Sequence, residues 1–332
     1  GHWWDLSDEP GADCVDWPPM FDAFARRRRP ALAEAREVDF VTMNPGVSAT
    51  SAWATIEAQE RPLLPSRVRL RCDPAKRRFV GTLENVLALS LDVSSLPPGA
   101  PIEVRVEGAF HATVPWPSGA PRITFDRLRG GWAAVDGLGA GRKTPARAGP
   151  FKDAFRHGFQ LVYGTRGNPE ENALLAAKAR HDAELWWYRG NGAVDVIADV
   201  DFEPRKGRDR GIVLYGNADT NAQWGALVGD GPVEVRRASV RIGTRTLVGD
   251  DLGCLFVRPR AGSAVGCVAV VAGTGLVGQR LLDRTPYLAS GVGLPDVTVF
   301  GAEMLEQGAV GVRVAGFFGP TWGLDGAELR WR

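Results

Sequence analysis

Between residues 34 and 141, apolar and polar side chains alternate in short runs: Val38-Asp39-Phe40-Val41, Trp53 to Ala58, Val68-Arg69-Leu70-Arg71-Cys72, Val86 to Leu91, Ile102 to Val106 and Ile123-Thr124-Phe125. A period of two sends one side of each run into a core and the other into water, the pattern of half-buried strands. Pro, Gly and Ser separate the runs, as in Pro97-Pro98-Gly99 and Pro115-Trp116-Pro117, where proline cannot donate to a ladder. Many short strands punctuated in this way predict a β-sandwich with no helix inside it.

Beyond residue 142 the texture changes to strand, helix, strand. Phe159 to Tyr163 is apolar and strand-like, and Asn168-Pro169-Glu170-Glu171 reads as a helix start, with an N-cap, a proline in the first turn and acids at the positive end of the helix dipole. That helix is expected to run to Arg189, with Gly190 as its C-terminal cap. Val194 to Ala198 and Gly211 to Tyr215 read as further strands, with a short helix starting near Asn217 to Asn221. A strand-rich excursion over Val233 to Val257 precedes a buried strand at Val265 to Val271 and a third helix. Asp296 to Phe300 and Val310 to Phe317 follow as the last strands. Strands alternating with helices predict a mostly parallel sheet with helices on both faces, a three-layer flavodoxin-like or Rossmann-like α/β domain over residues 142–332. Gly137 to Lys143, rich in glycine and basic residues, is expected to be a flexible linker between the two units.

Residues 1–33 have a different texture again. Gly1-His2-Trp3-Trp4-Asp5 leads through a polar turn to a short helix begun by Pro18-Pro19 and carrying Met20, Phe21 and Phe24 on one side. A helix this short needs a body to pack on, and none lies within the stretch. The run Arg26 to Arg29 that follows reads as a solvated helix end.

Charge and composition narrow the function classes. The 40 basic residues nearly cancel the 39 acidic ones, so the electrostatic footprint of a nucleic-acid binder is missing. No apolar run reaches the ~18 residues of a membrane-spanning helix. Cys14, Cys72, Cys254 and Cys267 show no CxxC spacing; buried thiols are the expectation, with a Cys254–Cys267 bridge open in an oxidising compartment.

Local motifs supply no complete catalytic set. Gly273-Thr274-Gly275-Leu276-Val277-Gly278 matches GxGxxG between a strand and a helix, where backbone amides can hold a pyrophosphate. The acid that should grip a ribose is absent from the end of the next strand, since Asp296 precedes that strand, so a tight turn whose glycines allow close packing is expected and no cofactor is assigned. Gly164 to Asn168 and Gly216 to Asn221 would converge at the carboxyl edge of the sheet, where a small-ligand pocket or plain turn and capping chemistry are both open. His111, His157 and His181 have no metal-ligand spacing and read as structural. Trp186-Trp187-Tyr188 reads as a core and interface anchor. The GxSxG elbow of a serine nucleophile does not occur in the chain.

Gly1 to Asp5, with Pro10 to Asp16 and the helix Trp17 to Phe24, resembles the last segment of the catalytic domain in bacterial prolyl-oligopeptidase-like α/β hydrolases, serine peptidases and esterases. Later pieces resemble the C-terminal extension of large secreted or envelope members of that group: Val38 to Thr42 with Asn44-Pro45, the strand Trp53 to Ile56, Gly149 to Phe155, Leu214 to Asn217 and Gly316 to Gly319. The resemblance implies that residues 1–33 end an α/β-hydrolase domain and that His2 is the triad histidine, with its serine and carboxylate partners upstream in the same polypeptide. It implies a peptide or ester substrate and a secreted or periplasmic setting. The alternative is that the chain is a non-catalytic C-terminal module that binds polymer substrate, cell envelope or a partner subunit.

Overall fold

The computed structural model of the chain describes residues 18–28, 30–127, 131–139 and 141–332. His2, Cys14 and most of the hydrolase-like segment therefore lie outside the described residues. The protein is a mixed α/β structure rich in sheet.

The first described element, α1 (Pro18–Ala25), buries no residue and leaves Phe21 and Phe24 51% and 64% exposed. Ten strands follow: β1 (Glu37–Thr42), β2 (Thr50–Ser51), β3 (Ala54–Gln59), β4 (Ser66–Asp73), β5 (Arg78–Glu84), β6 (Val86–Asp92), β7 (Ile102–Val106), β8 (Phe110–Val114), β9 (Arg122–Asp126) and β10 (Ala133–Val135). They form two five-stranded sheets, β1-β4-β5-β7-β8 and β10-β9-β6-β3-β2. Val68, Phe79 and Val104 of the first sheet share one apolar cluster with Ile56, Leu89 and Phe125 of the second, as two facing sheets require. Trp53 enters this core with its ring against Phe79, and its indole N–H donates to the Ala35 carbonyl. All six runs read from alternation are strands. Alternation missed β2, β5, β8 and β10; in β5 the pattern is interrupted by Gly81, where a Cβ would lie 1.9 Å from the Arg69 carbonyl oxygen, so the neighbouring strand's approach needs a glycine.

The second unit holds β11 (Phe159–Tyr163), β12 (Asp195–Ala198), β13 (Gly211–Tyr215), β14 (Val233–Arg236), β15 (Ser239–Ile242), β16 (Arg245–Val248), β17 (Gly253–Pro259), β18 (Cys267–Gly273), β19 (Val297–Phe300), β20 (Val312–Phe317) and β21 (Glu328–Trp331). Its helices are α2 (Pro169–Gly190), α3 (Trp224–Leu227), α4 (Leu276–Leu281) and α5 (Met304–Gln307). The main sheet has eight strands in the order β12-β11-β13-β18-β17-β19-β20-β21. β12, β11, β13 and β18 are mutually parallel, whereas every pairing from β18 through β17 to β21 is antiparallel. The sheet is therefore half parallel, which corrects the expectation of a mostly parallel one. The cause is local: β17 and β18 form a hairpin across a short turn, where a parallel neighbour needs a crossover.

The covering layers also differ from the expected pair of helical ones. Tyr215 on β13 donates to Asp182 on α2, so that face carries α2. Leu214, Val270 and Phe256 share a register row on the opposite face, where the indole of Trp224 from the single-turn α3 meets Phe256. Strands β14, β15 and β16 form a separate antiparallel sheet. β21 lies beyond the Val310 to Phe317 run expected to be the last strand.

The expected flexible linker is a fixed joint. Arg142 is buried against Asp126 of β9 at 2.7 Å, and the next residue, Lys143, is buried against Asp296 beside β19 at 2.5 Å. Consecutive residues thus grip the two units. Asn44 adds a bond to the Gly149 carbonyl, and Arg61 of the first unit pairs with Glu328 of the second. Composition marked the segment as polar, but its cations face carboxylates and not water.

Candidate functional site

Four places in the second unit bring chemistry-bearing residues together: the carboxyl edge of the parallel strands, the glycine motif, a buried network under α2, and a cleft at the opposite edge.

Chain order puts a switch point between β11 and β13, because β11 leads to β12 on one side and β13 lies on the other. Here the loops close on one another. The Arg166 amide donates to the Thr220 carbonyl, and Asn221 donates to the carbonyls of Val162 and Tyr215. Asp199 accepts from Thr165 on one oxygen at 2.6 Å and from the Ala222 amide on the other at 2.5 Å. A Cβ on Gly164 would lie 2.3 Å from the Thr220 carbonyl oxygen. The small sheet then spans the edge: Ala218 donates to Val235 and Ala238 donates to Thr274. Arg237 donates to Glu171 through Nε and Nη2, which holds that carboxylate below its usual range. Turn and capping chemistry accounts for the polar groups of both loops, and beside them lies a hollow of about 340 Å³ lined by Arg166, Asn221, Trp224, Glu234 and Arg236.

The glycine motif packs in the same way. Cβ atoms on Gly273, Gly275 and Gly278 would lie 2.2 Å from the Gln279 nitrogen, 2.5 Å from the Asp250 oxygen and 2.2 Å from the Leu252 oxygen. The Gly273 amide is taken by the Gln279 side chain, and its carbonyl by Asn217. These glycines let α4 and its neighbours approach closely, and Glu171 beside the turn would repel a phosphate.

Under α2, Lys178 pairs with Asp182 at 2.9 Å and with Asp283 at 3.1 Å, one helical turn making the first pair. Asp182 also accepts from Tyr215 at 2.8 Å and from Tyr287. Burial, reinforced by the adjacent carboxylate, pushes both phenols well above their ordinary range, so they stay protonated donors.

At the amino edge of the parallel strands lies a cleft of about 450 Å³. One wall is the last turn of α2, with Trp186, Arg189 and Gly190; the second is the 3₁₀ turn Phe151–Phe155 with Lys152, Phe155 and Arg156; the third is the loop from Tyr287 to Ser290. Asn191, in the left-handed conformation, is the C-cap of α2, one residue beyond the expected cap. Gly190 has another role: a Cβ there would lie 2.9 Å from the Trp186 ring. Trp186 stacks edge-on against Phe159, Phe159 against Phe155, and Phe155 lies parallel to Tyr287 at 6.3 Å. Phe159 and Tyr287 are buried within this row, and Trp186 and Phe155 are its partly exposed rings. Of the anchor expected at Trp186-Trp187-Tyr188, only Trp186 packs inward; Trp187 and Tyr188 are 70% and 86% exposed.

The remaining sequence-stated candidates fall elsewhere. His111 pairs with Glu103 on the surface of the first unit at 3.0 Å, and His157 and His181 are exposed. No group of three metal-ligating side chains occurs among the described residues, and no helix there is long and apolar enough to cross a membrane. Cys72, Cys254 and Cys267 are free and buried. A Cys254–Cys267 bridge is ruled out by register, since Cys254 faces Ala272 and Cys267 faces Pro259 at the other end of the hairpin. Sequence reading missed the cleft because its walls come from three separate segments, around residues 152–156, 186–190 and 287–290. The one local signal was the cluster Phe151, Lys152, Phe155 and Arg156. No protein-family model, curated protein or solved structure matches the chain.

Proposed function

We propose that this chain is the C-terminal part of a prolyl-oligopeptidase-like serine hydrolase, in which residues 1–33 end the catalytic domain, His2 serves as triad base, and residues 34–332 form a non-catalytic binding or assembly module. In this reading residues 34–141 are a β-sandwich domain and residues 142–332 an α/β domain. The resemblance of the His2 segment supports the hydrolase assignment. The observation that carries the non-catalytic part is the carboxyl edge, where an α/β fold of this order would place a reaction, and where Asp199, Thr165 and Asn221 bond to the chain itself. Exposed Phe21 and Phe24 on α1 support a catalytic domain packed on that helix.

In the whole enzyme His2 would take the proton of the upstream serine and return it to the leaving group, with an upstream carboxylate fixing its tautomer. Peptide and ester substrates are equally compatible with that chemistry. The test is hydrolysis of a p-nitrophenyl ester by the purified 332-residue chain. No turnover above that of the His2→Ala variant is expected. Turnover that His2→Ala abolishes would show a complete catalytic set inside the chain and overturn the reading.

A further inference from the structure

The cleft at the amino edge has a charge pattern that nothing in the fold requires. Three cations line it, Lys152, Arg156 and Arg189, and no carboxylate does. Arg156 is neutralised from behind by Asp153 at 3.1 Å. Lys152 and Arg189 have no ion pair among the described residues; the Lys152 ammonium rests on the Ala289 carbonyl at 2.5 Å. The C-terminal end of α2 opposes an anion with about half a charge, which two unneutralised cations outweigh. Burial disfavours the charged form of Lys152 and lowers its pKa, so a ligand anion there would meet a partly desolvated partner.

The other half of the surface is apolar. Trp186 and Phe155 present partly exposed rings on this side, beside Leu288 and the edge of the buried Tyr287. A bare phosphate or sulfate would leave those rings uncovered, and an uncharged apolar body would leave the cations unused. A volume of about 450 Å³ is within the range of small-ligand sites and has room for one or two amino-acid residues.

We propose that this cleft binds the C-terminal carboxylate of a peptide ending in a large apolar residue, with the carboxylate between Lys152 and Arg189 and the side chain against Trp186 and Phe155. The inference deepens the binding-module reading and rests on it: hydrolysis of a peptide bond releases such a carboxylate, so the module would hold substrate tails or products near the catalytic domain. Arg189 offers two parallel N–H donors that match a carboxylate, and Lys152 supplies a point charge.

Isothermal titration of the 332-residue chain with N-acetyl-alanyl-phenylalanine and with its C-terminal amide separates the two halves of the site. The acid is expected to bind at least tenfold more tightly than the amide, and Arg189→Ala is expected to weaken the acid about tenfold while leaving the amide unchanged. Arg189 is exposed at a helix end, so this variant keeps the fold; Lys152→Met, which also loses the Ala289 contact, should act in the same direction. Arg180→Ala, elsewhere on α2, is the control and should have no effect. Equal affinity for acid and amide, no binding of the acid, or an acid affinity insensitive to Arg189→Ala would overturn the inference. Each of those outcomes leaves the His2 ester assay as the separate test of the hydrolase reading.

Discussion

Replacing Lys143 by Met tests whether the joint holds the second unit together. Its ammonium bonds Asp296 at 2.5 Å and the Phe318 carbonyl at 3.0 Å, and it lies 4.9 Å from the Trp322 ring centroid. Asp296 is wholly buried. One carboxylate oxygen also accepts from the Phe318 amide, while the other meets no donor among the described residues and abuts Gly149. A Cβ at position 149, where φ is +79°, would lie 2.3 Å from that oxygen, so the close packing of the carboxylate there needs a glycine. Removing the lysine leaves a buried charge uncompensated, which costs about 3–5 kcal/mol. At roughly 2–4 °C per kcal/mol for a unit of this size, the melting transition should fall by about 10 °C in scanning calorimetry at pH 7.

The pH dependence carries a second sign. Burial already raises the Asp296 pKa above its ordinary value, against the opposing pull of Lys143. A raised carboxyl contributes stability that is complete below the unfolded value of 3.8 and is lost as pH rises through the folded pKa. Without Lys143 the folded pKa rises further, so the deficit of the variant should shrink as pH falls toward 4, and adding Asp296→Asn should recover part of it at pH 7. A Lys143→Met transition within about 2 °C of the parent, or a deficit that grows on acidification, would refute the reasoning.

Two other substitutions probe different supports. Arg260 is buried and donates to the carbonyls of Pro204, Lys206, Gly207 and Arg210, fixing the loop before β13; Arg260→Lys cannot reproduce that fork and should cost about 2–4 kcal/mol in urea unfolding. Tyr215→Phe removes one of two phenols on Asp182 and should cost about 1–2 kcal/mol at pH 7. Because burial raises the Tyr215 and Tyr287 pKa values, their contribution is complete below pH about 10 and lost above it, so the variant's stability should decline less than the parent's between pH 9 and 11. A parallel decline in unfolding titrations would exclude that role.

What the sequence made legible was local. β7, β11 and β13 begin and end where alternation or apolar runs placed them, and Asn168 caps α2 through a reciprocal bond with Glu171, as the residue types suggested. Pairing partners were not legible: nothing in an apolar run such as Cys267 to Gly273 says that it lies parallel to β13 on one side and antiparallel to β17 on the other. Nor does a glycine-rich basic segment reveal that Arg142 and Lys143 meet carboxylates 16 and 153 residues away. Gly273-Thr274-Gly275 and Gly164 share this ambiguity, since close approach to a ligand and close approach to the chain select the same residue. The cleft was invisible for a related reason: its cations are unremarkable singly and acquire meaning only when three segments meet.

The claim that matters most is the identity of His2. Fluorophosphonate labelling of the full-length polypeptide in which the proposed serine would lie, compared with its His2→Ala variant, tests it directly. Labelling of an upstream serine in the parent and its loss in the variant are expected. Equal labelling of both would contradict it.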